Sequence, residues 1–305
     1  MIVEHRVTEE EGGAALLLIL RRGMGLSGAL VRALKASGGL HVDGVPRFTN
    51  YEVRPGELVT ADVTWAEGEG DNLPELGPLT VLWEDEGLIA VNKPAGQIVH
   101  PSRAKLMGTL ANFVAGYLQA AGQRPICHVL NRLDRDTSGV VLYAKNAHMK
   151  AQTTLALGGG EKRYTALILG ALQPPDGVID LPIRRFQPQD MRRIVAEDGR
   201  RAVTHYRTLS HGLLAGQRCS VLELTLETGR THQIRVHCLA RGAPLVGDPL
   251  YYTAESAALS RALGVGRQFL HSRYLIFRHP LSGARVEIEA PIQDEVFSAL
   301  LAELG

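Results

Sequence analysis

From residue 78 onward, the chain is dominated by short apolar runs that are rich in β-branched or aromatic residues and end near glycine, proline or charged positions. The runs are "TVLWEDEGLIAVNKP", "GVVLYAK", "RYTALILG", "CSVLELTLET" and "YLIFRHP". Helix-like stretches such as "TLANFVAGYLQAAG" and "AHMKAQTTLAL" are fewer and lie between them. Runs of this length and composition are typical of strands. The sequence therefore predicts an α+β fold with a mixed, mainly antiparallel sheet.

An acidic segment with several glycines and prolines, "AEGEGDNLPELG" at residues 66–77, divides the chain. It is poor in large apolar groups, which predicts a linker between a small domain at 1–65 and a larger one at 78–305. In the small domain, "AALLLILRR" predicts a short helix, and "LSGALVRALKASGG" predicts a second helix that Ser27 caps. "LHVDGV" predicts a hairpin, and "RPGELVTADV" predicts a further strand.

The charge of the chain is almost balanced overall but is uneven along the sequence. The 305 residues carry a formal net charge of +1. Between residues 184 and 207, however, seven arginines stand against Asp190, Glu197 and Asp198, which gives a local charge of +4. Such a cluster is able to neutralise phosphates. An ordinary solvated surface is the alternative interpretation.

Several kinds of site are not supported by the sequence. Cys127, Cys219 and Cys238 are far apart and form no C-x-x-C pair, which argues against a disulfide framework and a structural zinc site. His232 and His237 lie five residues apart on what reads as a strand, so they would face opposite ways and metal binding is not favoured. No dinucleotide-binding, P-loop, zincin or nucleophile-elbow motif occurs, and no cofactor is expected.

The first residues show no sign of export or of a membrane segment. "MIVEHRVTEEEGG" is acidic and lacks the pattern of a signal peptide. The apolar run at 14–20 is far too short to cross a bilayer. We therefore expect a cytoplasmic protein with no role in a membrane.

Polar residues gather in four segments where predicted strands meet turns, and loops of this kind often carry function. The segments are "AVNKPAGQIVHP", "NRLDRDTSG", "EKRYTALILG" and "ETGRTHQIRVHCLARGAPLVGDPLY". Taken singly, their residues also have ordinary explanations. Lys93 would serve as a solvated turn lysine, Tyr164 as an aromatic of a sheet, and Asp134 as a turn cap or the partner in an ion pair.

The same holds for the other polar residues of these segments. Arg230 and Arg235 would form ion pairs at the surface. Asp136, Thr137 and Ser138 would shape a tight turn, because short side-chain oxygens just before a glycine favour such turns. No single residue decides between a structural and a functional role, so the segments have to be considered together.

Together and in this order, the four segments closely resemble the RluA-type family of RNA pseudouridine synthases, and most of all its RluD-like branch. The family signature "(H)RLDxxTSG" stands here as "NRLDRDTSG". "RIVAEDGRRAVTHYRTL" and "FLHSRYLIFRHP" extend the resemblance over about residues 80–292. It implies a pseudouridine synthase catalytic domain that isomerises uridine in structured RNA without a cofactor or a metal. The 1–65 domain resembles an S4-type RNA-binding domain through its helix–turn pattern and "GLHVDG".

The resemblance assigns catalytic roles to three residues. Asp134 is expected to be the catalytic carboxylate, acting either as a nucleophile at C1′ or as the base of a glycal-type route. Both routes need an ionised carboxylate, which a nearby arginine stabilises. By family position, that arginine is Arg235. Tyr164 is expected to pack on the target base and to take part in the proton transfer from C5.

The target uridine has to leave its stack before it reaches such a site. Arg132 is suited to fill the space that the flipped base leaves in the stack, because a guanidinium both stacks on bases and binds phosphate. The resemblance further implies contacts with RNA, as backbone or pocket-wall donors, by Lys93, Arg163, Arg230, His232 and Gln233. Asn131 stands where many relatives have His, so a role that needs an imidazole is excluded at that position.

Other classes of function stay open at this level. A glycosidase or nucleobase glycosylase also uses a carboxylate at an anomeric carbon, but most glycosidases need a second carboxylate, and Asp136 is expected to point elsewhere. A non-catalytic RNA-binding protein would use the S4-like domain and the arginine cluster. Within the family, large-subunit ribosomal RNA is the expected partner and transfer RNA the alternative. We expect the protein to act as a monomer.

Overall fold

The structure is a computed structural model that describes residues 1–63, 72–102 and 105–305. Its helices are α1 (Leu16–Leu18), α2 (Gly28–Ser37), α3 (Leu110–Ala120), α4 (Ala147–Gly158), α5 (Gln233–Ala240), α6 (Ala254–Ala262) and α7 (Glu295–Glu303). A 3₁₀ turn covers Glu9–Glu11, and a π-helical turn continues α1 over Ile19–Gly23. Within the described ranges, no helix is long and apolar enough to span a membrane.

The strands fall into an N-terminal group and a larger group that follows it. The first group is β1 (Ile2–Arg6), β2 (Leu40–Val42), β3 (Val45–Pro46) and β4 (Leu58–Asp62). The second group is β5 (Val81–Glu84), β6 (Leu88–Lys93), β7 (His128–Val129), β8 (Ser138–Ala144), β9 (Glu161–Leu169), β10 (Asp176–Asp180), β11 (Ile183–Arg185), β12 (Arg193–Val195), β13 (Val203–Leu214), β14 (Gln217–Leu226), β15 (Leu270–Arg278) and β16 (Arg285–Glu289). In the part of the chain that the structure describes, the two groups share no sheet.

Residues 1–63 form a four-stranded antiparallel sheet in the order β1-β4-β2-β3, and α1 and α2 pack against it around a core of their own. Ser27 caps α2 by accepting a hydrogen bond from a backbone N–H of the first turn at 3.1 Å. Gly38 ends the helix in the left-handed region, with φ 71°. Asp43 and Gly44, at φ 46° and 75°, form the turn between β2 and β3. The helix, cap and hairpin predictions for these residues are confirmed.

The larger unit is built on one sheet with the strand order β10-β13-β14-β9-β15-β8-β6-β5, to which β16 and β7 add at β15 and β8. Among the described strands, β8 and β15 run parallel and the other neighbours are antiparallel. Helices α3 and α4 cover opposite faces, because alternate residues of β6 and β8 join two different cores. The predicted α+β fold with a mixed, mainly antiparallel sheet is confirmed.

The parallel pair places the segment before β8 at the centre of the sheet. Gly139 has φ 114°, and a Cβ there would lie 2.2 Å from the Ser272 carbonyl oxygen on β15. Glycine is therefore required for β8 to approach β15. Ser272 pairs with Gly139 on one side and with Tyr164 of β9 on the other. The start of β8 and Tyr164 thus share one row across the sheet.

The segment "THQIRVH" runs into helix α5, so our prediction of a strand there is wrong. Its apolar residues alternate as in a strand, but the polar residues between them are buried as well, namely Gln233, Arg235 and His237. A helix that is buried on all sides lacks the amphipathic period that identifies helices in a sequence. His232 stands at the start of α5 with φ 58°, in the left-handed region.

Residues 72–77 belong to the predicted linker but pack against the larger unit. The Asn72 side chain donates a hydrogen bond to the Cys127 carbonyl at 2.8 Å, and the Asn112 side chain donates one to the Leu73 carbonyl at 2.8 Å. Contacts of this kind are not expected of a free linker, and they correct the prediction over these residues. The start of the predicted linker lies outside the described residues.

The N-terminal unit touches the larger unit at α4 and at the turn between β5 and β6. The Gln152 side chain donates a hydrogen bond to the Gly25 carbonyl at 2.9 Å, and the Met1 amino group lies 3.3 Å from the Glu86 carboxylate. Gly25 has φ 63°, and a Cβ there would lie 2.4 Å from the Gln152 side chain. The positive φ favours glycine at this position, whereas the Gln152 amide, at the end of a flexible side chain, could move aside for a Cβ.

Candidate active site

Asp134 lies in a tight turn directly before β8, with its side chain 25% exposed. The Thr137 backbone N–H closes the turn on the Asp134 carbonyl oxygen at 3.1 Å. Behind the turn, the Gln268 side chain donates to the Thr137 hydroxyl at 3.2 Å, and the Ser138 hydroxyl lies 2.9 Å from the His271 ring. The residues after Asp134 therefore fix the shape of the turn, as the sequence predicts for Thr137 and Ser138.

Lys93 supports this turn from inside the protein. Its side chain is 0% exposed. Its Nζ donates to three backbone carbonyls at 2.7–2.9 Å, those of Pro94, Gln97 and Arg135. Burial lowers the pKa of Lys93 to about 7, although the charges of Asp136 and Asp134 oppose that effect. The prediction that Lys93 contacts RNA is wrong, because all three N–H donors of the ammonium are used within the protein.

Arg235 joins Asp134 to a second carboxylate. From α5, its Nη1 donates to Asp134 Oδ2 at 3.0 Å, while Nε and Nη2 donate to the two oxygens of Asp248 at 2.7 and 2.9 Å. Burial by itself lowers the pKa of Arg235, but the hydrogen bonds and charges of Asp248 and Asp134 outweigh it and hold this pKa above its usual value. The structure thus brings Asp134 and Arg235 together across 101 residues of sequence.

Asp248 is a residue of the site that the sequence analysis did not single out. Its side chain is 0% exposed. Besides the two bonds from Arg235, it accepts hydrogen bonds from the backbone N–H groups of Leu250 and Tyr251, both at 2.9 Å. Four donors offset much of the cost of burying a carboxylate. The sequence feature that could have pointed to this position is the glycine just before it, Gly247. Glycine is needed there because φ is 78° and there is no room for a Cβ.

His232 faces Asp134 from the start of α5. Its Nε2 lies 3.8 Å from Asp134 Oδ2, and its Nδ1 lies 2.8 Å from the Tyr251 hydroxyl. That hydroxyl also accepts a hydrogen bond from the Arg193 backbone N–H at 2.7 Å, and it either donates to Nδ1 or accepts from it, according to the tautomer of the ring. Burial lowers the pKa of His232, against the opposing charge of Asp134, which favours a neutral ring near pH 7.

Tyr164, Asp134 and Arg235 line one cavity of about 90 Å³. Its other described walls are Arg132, Leu133, Thr137, Leu226, Gly229, Arg230, His232, Gln233, Ile234 and Leu270. Pockets for drug-sized ligands measure about 300–1,000 Å³, so this cavity suits a single small ring. Burial raises the pKa of Tyr164 to about 12, with a smaller contribution from the charge of Asp134 and an opposing hydrogen bond to Ser272. Its hydroxyl is therefore protonated at neutral pH.

Two of the residues predicted to contact RNA have no group available at the cavity. Gln233 is 2% exposed, and its side-chain amide makes four hydrogen bonds within the protein, with Thr228, Arg230, Val203 and Thr204. Arg163 stands next to Tyr164 on β9 and so points to the other face of the sheet, where it pairs with Glu161 at 2.6 Å. The prediction is wrong for Gln233, and it is wrong for Arg163 as a donor of the cavity wall.

Arg132 and Arg230 are exposed at the rim of the cavity. Within the described residues, no hydrogen bond or ion pair holds the Arg132 guanidinium. Arg230 donates through Nε to the Arg201 carbonyl at 3.0 Å, which leaves its other donors to solvent. For both residues and for His232, contact with RNA stays a prediction.

Asn131 uses both ends of its side-chain amide on the backbone of β8. Its Nδ2 donates to the Val140 carbonyl at 2.9 Å, and its Oδ1 accepts from the Leu142 N–H at 2.7 Å. The amide thus imitates a peptide group and extends the hydrogen bonding of the strand. Asn131, which stands where many relatives have His, therefore has a structural role here, because it satisfies two backbone groups of β8.

Asp134 is the only carboxylate among the described residues that line the cavity. Asp136 pairs instead with the side chain of its neighbour Arg135 at 3.1 Å, so it points elsewhere, as predicted. His232 and His237 do not face a common site, since the His237 ring contacts the Thr204 hydroxyl and the Leu181 carbonyl, which lies between β10 and β11. Across the described ranges, no group of three or more His, Cys, Asp or Glu side chains is arranged to hold a metal ion.

Comparison with known proteins gives consistent matches. The family model described as RNA pseudouridylate synthase matches residues 87–240. The chain is 34% identical over 283 residues to the uncharacterized RNA pseudouridine synthase YjbO of Bacillus subtilis. The aligned region covers 92% of this chain and 96% of that protein. It is 36% identical over 265 residues to ribosomal large subunit pseudouridine synthase D of Nitrosomonas europaea, covering 86% of this chain and 76% of that protein.

A solved structure agrees with these matches. Human RNA pseudouridylate synthase domain containing 1 superposes with a TM-score of 0.58 at 27% sequence identity, over 72% of this chain and 86% of that one. The residues that the family model matches contain Asp134, Tyr164 and Arg235, so all three residues with a predicted catalytic role lie within the range of that model. The chain belongs to the RNA pseudouridine synthase family.

Proposed function

We propose that this protein converts specific uridines of large-subunit ribosomal RNA to pseudouridine, with Asp134 as the catalytic carboxylate. The observation that carries the proposal is the cavity in which the Asp134 carboxylate meets Arg235 at 3.0 Å beside Tyr164. Membership of the family supports the reaction. The names of two relatives, the large-subunit enzymes D of Nitrosomonas europaea and Xanthomonas campestris, each 36% identical, support the substrate.

The reaction breaks the N1–C1′ bond of uridine, turns the uracil within the site and joins C5 to C1′, after which C5 loses its proton and N1 carries one in the product. Asp134 acts either as a nucleophile at C1′ or as the base that leads to a glycal. Either role needs an ionised carboxylate, and the Arg235 cation stabilises that form. Because buried Asp248 holds Arg235 by two further bonds, the charge that faces Asp134 is fixed before the substrate arrives.

Asp134 is the one carboxylate among the described residues of the cavity, which favours this reaction over glycoside hydrolysis. A hydrolase of the usual kind uses a second carboxyl group about 5–9.5 Å away as its acid or base. Asp136 is paired with Arg135 outside the cavity, and Asp248 is fully buried against Arg235. The remaining polar groups of the cavity suit a uracil that is held in the site and turned there. They do not suit an activated water molecule that attacks the sugar from its opposite face.

The uridine has to be flipped out of its stack to reach Asp134. Arg132, exposed at the rim, would occupy the space that the base leaves. Arg230 would bind the backbone beside it, and His232, whose Nε2 lies beside Asp134, would contact the flipped nucleotide. We further propose that residues 1–63 act as an S4-like RNA-binding domain, since Arg32 and Lys35 of α2 are exposed, and that the protein works as a cytoplasmic monomer.

The direct test is to incubate the purified protein with transcripts of large-subunit ribosomal RNA and with transfer RNA, and then to map pseudouridine. We expect new pseudouridines at a few positions of the ribosomal transcript, with the mass of the RNA unchanged and no free uracil. Release of uracil would identify a glycosylase instead. Modification of transfer RNA alone would contradict the proposed substrate, and mapping in a deletion strain would identify the natural position.

Tyr164 variants test the packing of the base. Tyr164→Phe keeps the ring, so we expect unchanged affinity for RNA and a slower rate in any step that uses the hydroxyl. Tyr164→Ala should also lose stacking on the base, about 1–3 kcal/mol by analogy with single-strand binders. Dissociation constants and single-turnover rates for both variants measure the difference. Equal loss of affinity in the two variants would contradict the proposed role of the ring.

Truncation tests the N-terminal unit. A chain that begins at Asn72 is expected to fold and to remain active at high RNA concentration, with weaker and less salt-dependent binding. A chain that begins at residue 78 also lacks the hydrogen bonds of Asn72 and Leu73, so it should be less stable by about 1–3 kcal/mol. A well-folded truncation at Asn72 that is inactive at saturating RNA would show that the N-terminal unit is needed for the reaction itself.

A further inference from the structure

The arginine cluster at 184–207 contributes most of a charged groove beside the catalytic cavity. The groove measures about 440 Å³, and its charged walls are Arg184, Arg185, Arg193, Asp198, Arg200 and Arg230. Five arginines and one aspartate give these walls a net charge of +4. We infer that this groove, here called the arginine groove, binds successive phosphates of the RNA strand next to the target uridine. The inference rests on the proposed function.

The structure separates the cluster into two sets of arginines. Those outside the groove are paired with carboxylates at 2.6–2.9 Å, in the pairs Arg192–Asp190, Arg201–Glu227 and Arg207–Glu223. Inside the groove, Asp198 is the only carboxylate among the described walls, and it pairs with Arg184 at 2.8 Å. Arg185 and Arg193 donate to backbone carbonyls. Within the described ranges, Arg200 has no side-chain hydrogen bond or ion pair.

The arrangement of the groove arginines costs stability in the free protein. Strands β11 and β12 form a two-stranded ribbon in which Arg185 lies directly opposite Arg193. Like charges at opposite positions of an antiparallel pair are destabilising. Arg200 adds a third cation close by, because its backbone pairs with that of Ile183 in both directions at 2.9 Å. A bound polyanion would remove this repulsion. On an ordinary solvated surface, carboxylates between the arginines would prevent it.

The groove is joined to the catalytic site by direct contacts. The Arg193 backbone N–H donates to the Tyr251 hydroxyl, and that hydroxyl contacts His232 beside Asp134. Arg230 lines both the groove and the cavity. The ribbon also packs through Ile183 on a buried cluster that contains Tyr251. A strand whose phosphates lie in the groove therefore passes the mouth of the cavity in a fixed position.

The chemistry of the groove favours the backbone of a nucleic acid. Guanidinium groups bind phosphate oxygens through paired N–H donors and keep their charge at every working pH. Five of them around one groove exceed the need of a single phosphate, and they suit several phosphates in succession. Free inorganic phosphate offers the same chemistry, so the experiment has to separate the two sources.

Two double variants with the same change in charge test the inference. Arg185→Gln/Arg200→Gln removes two cations of the groove that lack a carboxylate partner. Arg201→Gln/Arg207→Gln is the matched control, because it removes two cations of the same cluster that lie outside the groove. Binding to a transcript of large-subunit ribosomal RNA is measured over a range of salt concentrations, with kcat/KM for pseudouridine formation alongside. Inorganic phosphate at matched ionic strength serves as a competitor.

For the groove variant, we expect the dissociation constant to rise about tenfold and the slope of log affinity against log salt to fall by about 1.5, since each lost phosphate contact removes about 0.7–0.9. The control should bind and react like the wild type. Equal weakening of both variants, or displacement of the RNA by inorganic phosphate, would overturn the inference. Groove-dependent binding without pseudouridine formation by the wild type would support the groove and overturn the proposed function.

Discussion

Asp134→Asn is expected to lower the rate of pseudouridine formation by at least about 1,000-fold, while the fold and the affinity for RNA stay close to those of the wild type. The substitution keeps the size of the side chain and an oxygen that accepts from Arg235, and it removes the charge and basicity that both routes need. Arg235 keeps its two bonds to Asp248. No buried cation is left without a carboxylate, so the loss of stability should be small.

Asp136→Asn is the matched control for this variant. Asp136 stands in the same turn, but its carboxylate pairs with Arg135 and does not line the cavity. Single-turnover rates at saturating RNA, dissociation constants and thermal unfolding are compared for the two variants and the wild type. If Asp134→Asn keeps about a tenth of the wild-type rate, Asp134 is not the catalytic carboxylate. Equal losses in both variants would point to a change in the shape of the turn.

The strands and local turns could be predicted because their causes lie within a few residues. Ser27 and Gly38 bound α2 through a side-chain cap and a left-handed glycine, and both features can be identified in the sequence. The strands of the large sheet are apolar runs of the expected length. Helix α5 could not be predicted in this way, because Gln233, Arg235 and His237 are polar and yet buried. Their burial depends on partners that are distant in the sequence.

The same limit explains the errors in the site. The resemblance drew attention to the segments of Asp134, Tyr164 and Arg235, and the fold gathers these three residues around one cavity. It does not say whether a polar residue faces the cavity or the interior. Lys93 and Gln233 are hydrogen-bonded inside the protein, and a sequence cannot distinguish such residues from donors at a surface. Asp248 was missed for the related reason that its partner, Arg235, comes from another element.

Arg235→Met is expected to lower the free energy of unfolding by about 3–5 kcal/mol. Methionine fills much of the same space but offers no charge and no donor. Asp134 is 25% exposed and can gain water, whereas Asp248 is 0% exposed and keeps only the backbone donors of Leu250 and Tyr251. Most of the loss should therefore come from Asp248, a buried carboxylate left without its cation.

This loss should depend on pH in a defined direction. The penalty at Asp248 exists only while its carboxylate is ionised, so it is fully present at neutral pH. As the pH falls, the folded variant takes up a proton at this site before the unfolded chain does, and the difference in stability from the wild type shrinks. Asp134 also loses a neighbouring cation in this variant. Its protonation becomes easier, so the acid limb of the activity profile should move to higher pH.

Denaturant unfolding of the variant and the wild type at about pH 5 and about pH 8 measures this dependence. Two further variants make the cause identifiable. Arg235→Met/Asp248→Asn buries neither charge, so it should be more stable than Arg235→Met alone. Arg235→Lys keeps the charge without the planar fork and should fall between Arg235→Met and the wild type. If Arg235→Met costs less than about 1 kcal/mol at both pH values, or if the added Asp248→Asn change restores nothing, Asp248 does not depend on Arg235 for its charge. An unmoved acid limb would separately exclude Arg235 as the group that keeps Asp134 ionised.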